Sequence, residues 1–186
     1  MKELKPWEVV SRKTVIDCKW LRVDEGIYRQ QNGALIEPFY SEYRPDFAVV
    51  CAFDREMNLL TVSQYRMGIG RVLPEMPAGM IEAGEDPLAA ARRELREETG
   101  YEAEAFRHLF DLTINAAYSD NKAHCFLAEG LRKVTGQQLD ETENLDYRWM
   151  PIGEVMENLH SGGFGNGFNA AAIYRSLEIL GDKTKS

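Results

Sequence analysis

Three glutamates crowd within two turns of one predicted helix. Glu94 and Glu98 are four residues apart and Glu97 lies beside them, so their side chains compete for neighbouring parts of the helix surface. Like charges at this spacing destabilise a helix, and the negative end of the helix dipole lies close by. A bound cation is the simplest compensation, and carboxylate oxygens suit a hard divalent ion such as Mg²⁺ or Mn²⁺.

The charges alone allow two other interpretations of these glutamates. Arg93 is placed to neutralise or orient one carboxylate, and Arg92 or Arg96 are placed to do so from neighbouring faces. A solvated helix with many surface charges is the usual outcome for such a composition. The choice depends on the residues around the cluster.

The helix that must carry the glutamates lies within residues 77–101, PAGMIEAGEDPLAAARRELREETGY. Pro87 suits the first helical turn and Gly100 the position just past the end, which predicts a helix over residues 87–99. Gly79 is predicted to form a turn ahead of it. An apolar face at helical spacing is formed by Leu88, Ala91 and Leu95. This face is expected to pack inward, with the glutamates on the opposite side.

The same stretch matches the pattern G-x5-E-x7-R-E-U-x-E-E-x-G-U, where U is a bulky apolar residue. The pattern is filled, in order, by Gly79, Glu85, Arg93, Glu94, Leu95, Glu97, Glu98, Gly100 and Tyr101. Seven fixed positions at frequencies of about 6% each give a chance match on the order of 10⁻⁹ per starting point. The stretch resembles the Nudix box, and the chain is identified as a member of the Nudix hydrolase superfamily. The resemblance implies an α/β fold, an α/β/α sandwich around a mixed sheet with the box helix packed on it.

The resemblance also implies the metal site and the catalytic residues. Two or more Mg²⁺ ions, or Mn²⁺ in their place, would be held by Glu94, Glu97, Glu98 and the backbone carbonyl of Ala78. Arg93 and Glu97 would act in catalysis, while Glu82 and Glu85 either bind a further ion or hold the loop and Arg93 in place.

An acidic loop opens the segment at residues 139–151, LDETENLDYRWMP. In ADP-ribose pyrophosphatases, a glutamate of such a loop is the catalytic base, which makes Glu143 the first candidate and Glu141 the second. A merely solvated loop is the alternative.

The substrate class is indicated by the run E-x-P-A-G at residues 75–79, which resembles ADP-ribose pyrophosphatases and other nucleoside diphosphate sugar hydrolases. That resemblance implies cleavage of ADP-ribose, GDP-mannose or a similar compound to a nucleoside monophosphate and a sugar phosphate. Arg66 and Arg44 stand at positions where the family that the chain resembles has arginines that contact the phosphates or the terminal sugar of the substrate. Trp7 and Phe39 are candidates for stacking on the base, although aromatic residues in strands more often form core. Glu75 is expected to be a surface carboxylate near the site.

One loop departs from the ADP-ribose pattern. Ala116 and Ala117 stand where that pattern has a proline, and Tyr118 lies near a tyrosine typical of dinucleoside polyphosphate hydrolases, whereas Ser119 and Asp120 fit the ADP-ribose group. Dinucleoside polyphosphates or nucleoside triphosphates are therefore alternative substrates. An inactive nucleotide-binding regulatory module is a more remote alternative, because a binding protein gains nothing from three crowded carboxylates.

The 186 residues are divided into three parts. Residues 1–45 are predicted to form a small antiparallel sheet with a hairpin at Asn32-Gly33, residues 46–182 the catalytic domain, and residues 183–186 a frayed tail. The resemblance to ADP-ribose pyrophosphatases implies that the first region contributes substrate contacts and forms a homodimer. A closing helix is predicted over residues 169–180, and the glycine run at 161–167 is interpreted as a linker because it lacks the lysine of a phosphate loop.

Composition excludes several other classes. A formal charge of −8 argues against a nucleic-acid-coating surface and against attraction to anionic membranes. No apolar run approaches the ~18 residues of a membrane span. Three cysteines without metal-type spacing predict reduced thiols in a cytoplasmic protein. The three histidines, His108, His124 and His160, are scattered and form no predicted triad or metal cluster.

Overall fold

The computed structural model describes residues 3–183, so three residues of the predicted tail, 184–186, lie outside the described residues. The chain forms two compact units. One unit comprises the chain through Pro45 together with Thr113–Lys122, and the other comprises Asp46–Leu112 with the chain from Ala123 onward. In the described part, no helix is both long and apolar enough to cross a membrane.

The first unit is built on a three-stranded antiparallel sheet. Its strands are β1 (Glu8–Cys18), β2 (Leu21–Arg29) and β3 (Leu35–Tyr43), in the order β1-β2-β3. Gly33 adopts a left-handed φ of 85° in the turn between β2 and β3, where a side chain would be strained. The Asn32 Oδ1 accepts the Ala34 N–H at 3.0 Å. The predicted antiparallel sheet and its Asn-Gly hairpin are confirmed.

The other elements follow in chain order. They are β4 (Phe47–Ala52), β5 (Leu59–Arg66), β6 (Arg71–Glu75), β7 (Ala78–Met80), α1 (Pro87–Thr99), β8 (Tyr101–Thr113), β9 (Lys122–Lys133), β10 (Leu145–Met150), α2 (Ile152–Ser161) and α3 (Gly167–Lys183). A four-stranded sheet has the order β7-β4-β9-β8, with β4 parallel to β9 and antiparallel to β7. A three-stranded antiparallel sheet has the order β10-β5-β6.

Strand β4 separates two hydrophobic cores. Val49 and Cys51 contribute to a core that includes Ile173 of α3, whereas Ala48 and Val50 contribute to a second core against α1. Successive side chains of a strand point to opposite faces, so the mixed sheet is covered by helices on both sides. The predicted α/β/α sandwich is confirmed, and the sequence did not predict the second, three-stranded sheet.

The cysteines follow this packing. Cys51 and Cys125 are buried in the core that includes α3, Cys18 is exposed, and all three thiols are free. Burial raises the pKa of the Cys51 thiol, and likewise of the Cys125 thiol, to about 12.

Candidate active site

Helix α1 has the bounds that its sequence predicts. Asp86 caps its start, accepting hydrogen bonds from the backbone N–H groups of Leu88 at 2.9 Å and Ala89 at 3.3 Å. Pro87 occupies the first turn, and Gly100 ends the helix with a left-handed φ of 70°. A cap of this kind satisfies backbone donors that have no partner within the helix. The start and end of α1 are therefore set by local sequence.

The glutamates of α1 are not all on the face that the sequence analysis predicts. Glu94 and Glu98 are 6% and 4% exposed, and they fall with Ala91 and Leu95 on the spacing i, i+3, i+4, i+7 that shares one helix face. The predicted placement opposite the apolar face is wrong for these two residues. Glu97 alone is substantially exposed, with 38% of its side chain accessible.

Strand β7 brings the backbone against these buried carboxylates. The Ala78 N–H donates to Glu98 Oε2 at 3.0 Å. A Cβ on Gly79 would clash with the carboxyl group of Glu94, so a larger residue there would require Glu94 to move. Gly79 is paired with Ala48 in the sheet, and the prediction that it forms a turn is wrong.

Arg93 connects the box loop to the helix. It donates to both oxygens of Glu85, from Nε and Nη2 at 3.0 Å each, and its Nη1 reaches Glu94 Oε1 at 2.6 Å and Glu97 Oε2 at 3.1 Å. Arg93 holds the pKa of the Glu85 carboxyl below its usual range. Glu85 thus holds Arg93 in place, one of the two roles considered for it.

The other two box-helix arginines point elsewhere. Arg92 lies over the ring of Phe106, with its guanidinium carbon 4.6 Å from the ring centroid, and Arg96 pairs with Glu102 at 3.6 Å. Arg93 therefore has the neutralising role among the three candidates.

Burial leaves the two inner carboxylates electrostatically strained. It raises the pKa of Glu94 to about 7, against the opposing effect of Arg93, and it raises the pKa of Glu98 well above the usual value, an effect to which the charge of Glu94 adds. Removing a carboxylate from water is costly unless it is paired. A cation at this point would remove that cost.

The donor set fits a hard divalent cation. In residues 3–183, no group of three or more His, Cys, Asp or Glu side chains is gathered closely enough to hold a metal ion. Arg93 forms ion pairs with Glu94 and Glu97. The fit therefore depends on Glu94 and Glu98, with the adjacent backbone of Ala78 as a further oxygen source. Carboxylate and carbonyl oxygens are the ligands that Mg²⁺ and Mn²⁺ prefer.

The two candidate bases in the acidic loop before β10, Glu143 and Glu141, have different surroundings. The charge of Glu143 contributes, after larger effects, to the raised pKa of both Glu94 and Glu98. Its Oε2 also accepts the Asp140 N–H at 3.0 Å. Glu141 lies exposed in the same loop. The choice of Glu143 over Glu141 as the base stays a prediction.

Arg66 and Glu75 form an ion pair beside this cluster. Arg66 donates from Nε, at 2.9 Å, and from Nη2 to Glu75 Oε2. Glu75 is only 3% exposed, so the expectation of a surface carboxylate is wrong. Asn166 donates to the other oxygen of Glu75 at 2.9 Å. The sequence analysis missed Asn166, since nothing local links it to a residue 91 positions earlier.

Three predicted substrate contacts belong to the first unit. Trp7 is 49% exposed, and Arg44 pairs with Glu42 at 3.1 Å. The ring of Phe39 stacks on that of Tyr118, with centroids 5.9 Å apart and planes 15° apart. Phe39 therefore packs within its own unit.

Two of the three histidines come together at Asp111. Asp111 Oδ1 lies 2.7 Å from His108 Nε2 and 2.9 Å from His124 Nδ1, and His124 Nε2 lies 3.3 Å from Asp46 Oδ2. The expectation that the histidines are scattered is wrong for this pair. In the described residues the group has no metal-binding arrangement.

The family model of the NUDIX domain matches residues 42–166. The chain belongs to the Nudix family. An ADP-ribose pyrophosphatase of Mycobacterium tuberculosis is 32% identical over 169 residues, which cover 90% of this chain and 81% of that protein. A methanol dehydrogenase activator of Bacillus methanolicus is 36% identical over 114 residues, 61% of this chain and 62% of that protein. The family identification from the box is confirmed.

The Nudix fold of the chain is also found in a solved structure. The crystal structure of an ADP compounds hydrolase superposes with a TM-score of 0.86, covers all of both chains and is 23% identical. At this identity the likeness shows the fold alone. Nudix hydrolases are in general dependent on divalent metal ions, in agreement with the donor set of the box.

Proposed function

We propose that the protein hydrolyses the diphosphate bond of nucleoside diphosphate sugars, with ADP-ribose and GDP-mannose as the expected substrates. The observation that carries the proposal is the pair of buried carboxylates, Glu94 and Glu98, set against the backbone of β7. The similarity to the ADP-ribose pyrophosphatase of Mycobacterium tuberculosis supports the substrate class.

The proposed cation ligands are Glu94, Glu97, Glu98 and the carbonyl of Ala78. Mg²⁺ is the expected ion, with Mn²⁺ able to replace it, and two or more ions per site are expected. When bound, such ions neutralise the charge of the diphosphate and lower the pKa of a coordinated water. A chain with a net charge of −8 needs local positive charge of this kind to bind an anionic substrate.

The side chains supply the remaining steps. Glu143 accepts a proton from the attacking water, whose oxygen bonds to one phosphorus while the bond from that phosphorus to the bridging oxygen breaks. The leaving phosphate keeps the electron pair. Arg93 orients Glu94 and Glu97, and Arg66 binds a phosphate through the planar geometry of its guanidinium.

Glu143→Gln should lower kcat by ~10²-fold or more with KM nearly unchanged, the usual loss for a missing general base. Steady-state kinetics with Mg²⁺ measure both constants. Glu141→Gln is the matched control in the same loop and should stay near the wild-type rate. A large loss in Glu141→Gln instead would transfer the role to that residue.

The first unit has two proposed roles. Trp7, Phe39 and Arg44 are proposed substrate contacts on the strength of the family resemblance. The sheet is proposed to mediate a homodimer, because β1 is exposed along its whole length and carries apolar side chains that a second copy would cover.

A hydrolysis panel tests the proposed function. ADP-ribose, GDP-mannose, other nucleotide sugars, dinucleoside polyphosphates and nucleoside triphosphates are incubated with Mg²⁺, with Mn²⁺ or with EDTA, and the products are identified. The proposal expects metal-dependent release of a nucleoside monophosphate and a sugar phosphate. Preference for polyphosphates would reject the substrate class, and tight nucleotide binding without turnover would favour the regulatory module.

A further inference from the structure

A buried carboxylate joins three elements next to the candidate active site. Glu75 lies at the end of β6. Its Oε2 accepts hydrogen bonds from Arg66 of β5, and its Oε1 accepts one from Asn166 of the α2–α3 connection. A buried charge is costly unless it is paired and hydrogen-bonded. Both carboxylate oxygens have a partner, so Glu75 is stable only while Arg66 and Asn166 are in place.

The glycine-rich connection at residues 161–167 brings Asn166 to this position. A Cβ on Gly163 would lie 2.2 Å from Asn158 Oδ1, and a Cβ on Gly165 would lie 2.4 Å from Leu73 Cδ1 of β6. Gly165 also has a left-handed φ of 72°. The segment interpreted as a linker is therefore a closely packed turn against β6, and it fixes Asn166 beside Glu75.

The contact with Glu75 sets the direction of the Arg66 side chain. Arg66 pairs with Arg71 in the β5–β6 ladder, whereas Glu75 pairs with Val62, so the guanidinium folds back along the strand to reach the carboxylate. An arginine has five N–H donors, and Glu75 engages the Nε edge. The other edge is available to a ligand, and 45% of the Arg66 side chain is exposed.

The same contact holds Arg66 near the carboxylates of α1. Glu75 lies three residues before Ala78, whose N–H binds Glu98. Arg66 is therefore held by a residue that lies close in the chain to the backbone contacting Glu98, and we expect its guanidinium to meet a diphosphate bound at Glu94 and Glu98.

We propose that Asn166 is a positioning residue for substrate binding. By fixing Glu75 it holds the guanidinium of Arg66 in the orientation that binds the diphosphate. This inference deepens the proposed function and rests on it. Loss of the Asn166 amide leaves Glu75 Oε1 without its donor, and Arg66 then samples other orientations. Substrate affinity falls, while proton transfer at Glu143 is unaffected.

A double-mutant cycle tests the proposal. Asn166→Ala, Arg66→Ala and the double variant are compared by KM and kcat for ADP-ribose with Mg²⁺. The Kd of an ADP-ribose analogue with a methylene group in place of the bridging oxygen is measured in parallel. Asn166→Ala should raise KM and Kd roughly three- to tenfold, the effect of one hydrogen bond, with kcat within about twofold. In the Arg66→Ala background the same change should add nothing, because the two residues act through one contact.

Asn158→Ala is the matched control. Its amide donates to the Glu154 carbonyl at 2.9 Å, and its side chain packs against the same glycine turn, so it removes a structural contact without touching Glu75. Its KM should equal that of the wild type. Should Asn166→Ala fail to fold, Asn166→Ser takes its place in the cycle.

Three results would overturn the proposal. They are an unchanged KM in Asn166→Ala, additive effects in the double variant, and a loss in Asn158→Ala equal to that in Asn166→Ala. If the wild type binds the analogue but does not hydrolyse ADP-ribose, the proposed function fails while the cycle in Kd still decides the role of Asn166. If it does neither, both are rejected.

Discussion

Glu94 and Glu98 show how one helix face combines packing with chemistry. Their spacing relative to Ala91 and Leu95 directs them inward, where burial raises the pKa of each. Arg93 offsets part of this cost at Glu94, whereas the carboxylate of Glu98 accepts a hydrogen bond from the backbone N–H of Ala78. Glu98 is therefore the residue whose charge depends most on a bound cation.

Replacing Glu98 tests that dependence directly. Glu98→Gln should reduce metal-dependent turnover by at least about 10²-fold. Loss of a residue that only orients a metal ligand already lowers activity by up to about this factor, and loss of the ligand itself should cost at least as much. The melting temperature in EDTA should rise, since a buried charge is removed. The exposed Glu157→Gln is the control and should change neither quantity. Wild-type turnover in Glu98→Gln would remove this residue from the proposed metal site.

The pKa of Glu94 gives the metal-free protein a defined pH dependence. The folded-state pKa of about 7 lies above the ordinary value of 4.5, so between these values the folded state binds a proton that the unfolded state lacks. The contribution to stability is therefore full below about pH 4.5 and is lost as the pH rises through 7. In EDTA, Glu94→Gln should gain stability over the wild type as pH increases.

Thermal unfolding from pH 5 to pH 8 measures this difference, and Mg²⁺ should stabilise the wild type most at the alkaline end. A difference between variant and wild type that stays constant across the range would show that Glu94 does not titrate there.

At the scale of elements, β7 determines the geometry of the box. It pairs with β4 through Ala78 and Gly79 and presents its backbone to α1 without an intervening side chain. The loop that follows returns to the helix through Glu85 and Arg93. Strand, loop and helix thus act as one structural unit around the carboxylates.

Gly79→Ala should disrupt that unit. The added Cβ would meet the carboxyl group of Glu94, and a contact of this kind costs about 1–3 kcal/mol of folding free energy. Turnover and melting temperature should fall together. Gly153→Ala, whose Cβ would meet nothing within 4 Å, should retain turnover and be slightly stabilised, since it lies in a helix. Full activity of Gly79→Ala would show that Glu94 has room to move.

In the whole molecule, the first unit exposes several large apolar side chains in and next to β1. Trp7, Val9, Val10 and Ile16 are between 42% and 50% exposed, and every residue of β1 is exposed. Where exposed apolar side chains form a large patch, they mark an interaction site. A second copy of the chain is the proposed occupant.

Sedimentation velocity tests the homodimer. The wild type should sediment at twice the chain mass of 21.2 kDa, and Ile16→Lys should sediment at the monomer mass, because a buried lysine would oppose association. Val134→Lys replaces an exposed valine of the other unit and should remain dimeric. A monomeric wild type at every concentration would reject the proposal.

Features that depend on neighbouring residues could be predicted from the sequence. The box pattern, the ends of α1 at Pro87 and Gly100 and the Asn32-Gly33 hairpin follow from local conformational preferences. The family followed from the spacing of the box residues, which lie within 23 consecutive positions.

The contacts between residues distant in the chain follow from the tertiary packing. The local sequence predicts a surface carboxylate at Glu75 and a turn at Gly79. In the fold, Arg66 and Asn166 hydrogen-bond to a buried Glu75, and Gly79 lies in β7, which pairs with β4. His108 and His124 came together at Asp111 in the same way. Contacts between residues far apart in the chain depend on how sheets and helices pack, which local conformational preferences do not encode. Buried polar side chains find their partners only when the complete fold removes them from water.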